Sequence, residues 1–156
     1  MGAGVLVAVH DIAKAMVAVY LAKWLFPDAE YTGAAAGVAC VLGHIFPFYL
    51  GFRGGKGLAS YFGMTLALNW KLALVVGAAI VLATLITDFI SVGALSSIVI
   101  APVYTAFVSH NLILAGILCV ATAVMFVKHW ENIQRIAKGE EIGLRRTAKG
   151  ADRIDK

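Results

Sequence analysis

The stretch Leu58–Ile86, LASYFGMTLALNWKLALVVGAAIVLATLI, decides how this chain is folded. As one helix it would run for 29 residues, well past the about 20 apolar residues that cross a bilayer. Asn69-Trp70-Lys71 interrupts it with polar groups and an interface-type tryptophan. The stretch therefore reads as two spans, at about 57–68 and 70–86. The first is only about 18 Å long by helix rise, so it must be tucked in or extended by the loop before it.

Working outward, the rest of the chain is equally apolar. Hydrophobic residues make up 61% of it and charged residues 14%, against about 45–50% and about 25% in soluble domains. A soluble chain of 156 residues could not hide that much apolar surface in a single core. Further spans read at about 3–26, 31–50, 91–108 and 112–127, with Pro27-Asp28-Ala29-Glu30 and Ser109-His110-Asn111 as turns. No basic segment and small-residue cleavage site mark a leader, so the first apolar run reads as a true span. The fold class is all-α, a polytopic transmembrane helical bundle of about six spans. Residues 1–127 form the membrane domain and 128–156 a cytoplasmic basic juxtamembrane tail.

Charge placement sets the topology. Between Val5 and Val127 only Lys14, Lys23, Arg53, Lys56 and Lys71 are basic, whereas Lys128 to Lys156 holds eight Lys or Arg. Six spans put the Arg53–Gly57 loop and the basic tail on one side, and five put them on opposite sides. Lys and Arg gather in the cytoplasm, so six spans are expected, with both ends of this chain cytoplasmic in a cell membrane. The net charge of +4 reflects basic residues beside a span that alternate with acids, and nucleic-acid binding is not expected. Cys40 and Cys119 sit alone in apolar runs and read as buried packing residues, not as a disulfide or metal site. No cofactor or metal is expected.

Three polar clusters stand out. In Gly51-Phe52-Arg53-Gly54-Gly55-Lys56-Gly57, glycines surround a lysine at the start of a helix. Glycines let backbone N–H groups approach an anion, and a helix N-terminus adds its positive end. This is no nucleoside-triphosphate loop: Leu50 stands where its first glycine belongs, and Gly57 where Ser or Thr should follow the lysine. Locally, the same stretch reads equally well as a re-entrant turn with two snorkelling cations. His129 and Asn132 in Lys128-His129-Trp130-Glu131-Asn132 share a helix face and can bind a polar substrate. An ordinary juxtamembrane segment anchored by Trp130 is the alternative. Asp11 and Lys14, three residues apart in an apolar run, can pair on one face, as structure or as function.

Together with Gly43-His44-Ile45-Phe46-Pro47, Asp11-Ile12-Ala13-Lys14, His129-Trp130-Glu131-Asn132-Ile133 and Lys138-Gly139-Glu140, these segments resemble a known family. It is that of the integral-membrane glycerol-3-phosphate acyltransferases that use acyl phosphate as donor, the PlsY type. The likeness covers nearly the whole chain to about Glu141. It implies transfer of an acyl group to the 1-hydroxyl of glycerol 3-phosphate, giving lysophosphatidic acid and phosphate for phospholipid synthesis in the inner membrane. It also implies that Gly54, Gly55, Lys56 and Gly57 cradle phosphate, with Arg53 adding charge and Ser91 touching phosphate. His129 and Asn132 would shape the glycerol phosphate site as its catalytic pair, and Glu131 would be structural. The expected partners are glycerol 3-phosphate, acyl phosphate and the lipid bilayer. The family has seven spans and begins with one more span and a Gly-Ser-Gly-Asn-type loop, so the chain is expected to correspond to an N-terminally shortened version. Asp88 stands where the family usually carries a basic residue, which would put an anion near the phosphate site. The competing classes are a non-catalytic degenerate relative and a small transporter or accessory protein. Transport ranks lower, because the chain has one broken region and no internal repeat.

Overall fold

A computed structural model describes residues 2–148. All regular elements among the described residues are helical: α1 Gly2–Leu25, α2 Thr32–Ile45, a 3₁₀ turn Phe48–Leu50, α3 Leu58–Leu68, α4 Trp70–Thr87, α5 Ile90–Phe107, α6 Leu112–Lys128, α7 Trp130–Ala137 and α8 Leu144–Ala148. The deciding stretch breaks at Asn69, as its polar interruption predicts. Asn69 is extended (φ −157°), and its side chain accepts from the N–H groups of Lys71 and Leu72 at 2.9 and 3.2 Å. One residue thus ends α3 and caps α4, satisfying donors that a helix start leaves open. Asn111 starts α6 the same way, accepting from Leu114 N at 2.9 Å.

The six long helices close a ring through the contacts α1–α3, α3–α4, α4–α5, α5–α6, α6–α2 and α2–α1. Its interior holds Val19, Val41, Ile45, Tyr61, Met64, Val76, Ile98, Leu118 and Met125. Large apolar side chains also cover the outside, among them Leu6, Leu74, Ile86, Phe107 and Val127. In water that surface would aggregate, and in lipid it costs nothing, so the bilayer is the solvent this fold requires. Four hydroxyls inside the bundle are turned back to helix carbonyls: Thr65 to Phe62 O, Ser97 to Ala94 O, Thr105 to Ala101 O and, across helices, Thr122 to Ile98 O. Small residues bring backbones together. A Cβ on Gly63 would collide with the Ile12 backbone, and one on Gly93 would lie 2.7 Å from Ile80 O.

Among the described residues, four helical segments are long and apolar enough to cross a membrane, α2 being counted with the 3₁₀ turn to Leu50, and α6 joins them if it is taken with α7 as one span bent by 48°. At 11 residues, α3 rises only about 16 Å. It therefore shares the expected alternation of direction without being a full span. The chain nevertheless reaches the far end of the bundle through it, because Lys23 in the last turn of α1 donates to Ala67 O at 3.3 Å. Tyr31 and Asn111 meet at that same end. At the other end the loop after α2 meets the segment after α6, with Lys128 4.5 Å above the Phe46 ring. One sequence expectation fails here: Cys119 is exposed on the bundle exterior and only Cys40 is partly buried. In a bilayer-facing helix an outward thiol is simply one more apolar side chain, so an apolar run does not mark a residue as interior.

The ring predicts sidedness directly. With Cys40 and Cys119 replaced, single cysteines at Arg53 and Lys138 should react with an impermeant thiol reagent from the same side, and one at Ser109 from the opposite side. Labelling of Arg53→Cys and Lys138→Cys from opposite sides would contradict this arrangement.

Candidate active site

The glycine loop leaves α2 at Ile45 and doubles back on it. Gly51 (φ +59°), Phe52 (φ +63°) and Gly57 (φ +88°) adopt left-handed backbone, which turns the chain sharply twice. Gly54 N–H donates to Ile45 O at 3.2 Å, and a Cβ on Gly54 would collide with His44 O and lie 2.8 Å from Ile45 O. A Cβ on Gly55 would collide with His44 Nε2. Both glycines are thus demanded by close packing on the end of α2. Gly57 then starts α3 with no side-chain cap, so the first-turn N–H groups are left for water or an anion.

Lys56 follows these glycines and reaches across the bundle. Its Nζ donates to Asn132 Oδ1 of α7. Asn132 is 2% exposed, and its Nδ2 donates to Ser91 Oγ at 2.9 Å and to Glu141 Oε1 at 2.7 Å. Ser91 Oγ in turn donates to Glu141 Oε1 at 2.5 Å, and Arg135 Nε donates to Glu141 Oε2 at 2.8 Å. Burial pushes the Glu141 carboxyl up, but the hydrogen bonds from Arg135, Ser91 and Asn132 and the Arg135 charge outweigh it and hold the carboxyl at about 2. Glu141 is therefore ionised at neutral pH and accepts from three side chains at once.

His129, 3% exposed, occupies the bend between α6 and α7. Its Nδ1 lies 2.8 Å from Met125 O. A carbonyl can only accept, so Nδ1 carries the proton and Nε2 presents a lone pair. Burial lowers the His129 pKa; the Met125 carbonyl pulls it back up, Lys56 lowers it further, and Glu141 raises it. The imidazole is thereby neutral at physiological pH and able to accept a hydrogen bond from a hydroxyl.

Of the residues expected from sequence, Lys56, Ser91 and Asn132 are joined in one network, with His129 in the same segment as Asn132. Gly54, Gly55 and Gly57 shape the loop before it. Arg53 stands apart: its side chain is exposed and makes no ion pair among the described residues. Glu131 is exposed and lies 3.9 Å from Arg135. Asp88 bonds to the chain after α7. With φ +66° it ends α4, its carbonyl accepts from Leu144 N at 2.7 Å, and its Oδ1 accepts from Arg145 N at 3.1 Å. The Asp88 carboxylate and carbonyl hold the first turn of α8. Glu141 and Arg135 were missed as site residues. The readable signal was Arg135, one turn beyond Asn132; Glu141 is brought in by the fold, just past Gly139, whose φ of +69° reverses the chain.

Known proteins resemble this chain in sequence and in fold. A family model described as glycerol-3-phosphate acyltransferase matches residues 1–139. A glycerol-3-phosphate acyltransferase of Coxiella burnetii (strain CbuG_Q212) is 42% identical over 135 residues, which is 86% of this chain and 69% of that protein. One from Brucella canis is 34% identical over 137 residues, 88% of this chain and 64% of that protein. Two crystal structures of PlsY (YgiH), an integral membrane glycerol 3-phosphate acyltransferase, superpose on the chain. The lysophosphatidic acid form does so with TM-score 0.84 and 27% identity over 91% of this chain and 72% of that one. The glycerol 3-phosphate form gives 0.80 and 29% over 91% and 71%. With its loop, network and bundle all in place, the chain belongs to the glycerol-3-phosphate acyltransferase family.

Proposed function

We propose that this chain moves an acyl group from acyl phosphate to the 1-hydroxyl of glycerol 3-phosphate, releasing lysophosphatidic acid and inorganic phosphate at the cytoplasmic face of the membrane. The observation that carries the reading is the Lys56–Asn132–Ser91–Glu141 network beside the uncapped start of α3. It sets fixed cationic and N–H donors at one end of a lipid-embedded bundle, where a water-soluble phosphate and a lipid-borne acyl chain can meet. Arg53, Lys56 and the eight basic residues after Val127 support placing that end, and both ends of this chain, in the cytoplasm.

Acyl phosphate is a mixed anhydride and already activated. The hydroxyl oxygen attacks the acyl carbon, the bond from that carbon to the phosphate oxygen breaks, and the hydroxyl proton ends on the released phosphate. The protein's task is to align the two anions and offset the charge that develops. In this reading Lys56 and the first-turn N–H groups of α3 hold phosphate, with Gly54, Gly55 and Gly57 shaping the backbone that presents them. His129 orients the glycerol hydroxyl through Nε2. Asn132 fixes the Lys56 ammonium, and Ser91 acts through the same network, its hydroxyl committed to Glu141. Arg53 contributes long-range charge from the loop surface.

The direct test supplies the purified protein in lipid nanodiscs with labelled glycerol 3-phosphate and either acyl phosphate or acyl-CoA. Lysophosphatidic acid should form with acyl phosphate only, and formation from acyl-CoA alone would overturn the donor assignment. The His129 pKa, lowered by burial, predicts the pH profile. A group with lowered pKa stays neutral to lower pH, so kcat/KM should hold through neutrality and fall only below the ordinary histidine value of about 6.5. His129→Gln should retain weak activity without that acid limb; an unchanged limb would remove His129 from the reaction.

A further inference from the structure

Asp11 and Lys14 of α1 do not join the network at Asn132, yet they lie on the inner side of the bundle near the glycine loop. Asp11 is 7% exposed. Lys14 Nζ donates to Asp11 Oδ1 at 2.6 Å and to His44 Nδ1 at 2.9 Å, and His44 Nδ1 stands 3.4 Å from the same carboxylate oxygen. An ammonium can only donate. His44 Nδ1 is therefore the lone-pair nitrogen, and Nε2 carries the ring proton. That nitrogen faces the loop: a Cβ on Gly55 would collide with it and lie 3.1 Å from Cε1, while Gly54 rests on His44 O.

Apolar residues would pack a span as well as this trio does, and without the cost of withdrawing charges from water. The trio is instead a continuous strut from α1 through the last turn of α2 to the backbone just before Lys56. We propose that Lys14 is a positioning residue for the glycine loop: held by Asp11, it locks the His44 ring, whose Nε2 edge sets the path of Gly54–Gly55. The proposal rests on the reading of that loop as the anion cradle. Lys14 itself touches no substrate and acts through His44.

The test compares Lys14→Met, which keeps the length and loses the charge, with Lys14→Arg, which keeps the charge. Hydrogen–deuterium exchange of the protein in nanodiscs follows the Phe52 and Gly54 amides, which are bonded to Pro47 O and Ile45 O, with the α7 amides as reference. Losing a charged hydrogen bond should raise loop exchange about tenfold in Lys14→Met and leave α7 unchanged. The KM for glycerol 3-phosphate should rise by about the same factor with kcat nearly unchanged, and Lys14→Arg should restore both. Unaltered loop exchange in a folded Lys14→Met protein would overturn the positioning role. So would a uniform rise over all helices, which would assign Lys14 to general stability. A loop-confined rise in a protein whose parent makes no lysophosphatidic acid would uphold the strut and overturn the acyltransfer reading instead.

Discussion

The carboxamide of Asn132 accepts from Lys56 on one side and donates to Ser91 and Glu141 on the other. A buried amide in this position can satisfy both partners only in one orientation, because lysine can only donate and an ionised carboxylate can only accept. Three separate chain segments are thereby held together: the loop before α3, the start of α5 and the stretch from α7 to Glu141. Removing Lys56 would take from the buried Asn132 Oδ1 the donor it has here, and an unsatisfied buried polar group costs about 1–3 kcal/mol. The end of the bundle is consequently ordered by polar bonds, whereas its middle is ordered by small residues and apolar packing.

That division follows from the solvent. Within lipid, helices gain nothing by hiding leucine from its surroundings, so close backbone approach and internal hydrogen bonds decide the packing. Gly63 against Ile12 and Gly93 against Ile80 and Thr84 show the first; Thr122 against Ile98 O shows the second. At the interface water returns, and charged groups can be kept if they are paired. Glu141, Arg135, Lys56 and the Asp11–Lys14 pair all lie on or near that end. The segment after α6 is correspondingly no free tail up to Gly143. Glu141 is buried, and a Cβ on Gly143 would collide with Asp88 Oδ2.

Much of this was legible in the residues. Asn69 announced the break between α3 and α4 because its side chain is a natural helix cap, and the crowding of glycines around Lys56 announced a loop of unusual backbone. The resemblance carried by Gly54–Gly57 and His129–Asn132 led to the family. Other features could not be read. Glu141 sits among alternating charges, and nothing local distinguishes it from its exposed neighbour Glu140; only the fold buries one of them. The glycines were read as making room for an anion, yet Gly54 and Gly55 are required first by the His44 carbonyl and ring. Cys119 was misplaced because, in a membrane protein, apolar sequence describes the outside as well as the core.

A double-mutant cycle between Lys56→Met and Glu141→Gln, read out as glycerol 3-phosphate affinity by direct titration, tests the central claim that Asn132 couples the glycine loop to the segment after α6. The two residues do not need to touch for this; the coupling is expected to pass through one amide. A coupling energy of about 0.5–3 kcal/mol is predicted, with the double variant losing less than the sum of the single losses. Losses that add within about 0.3–0.5 kcal/mol would show that the loop and the clamp are independent and would contradict the account.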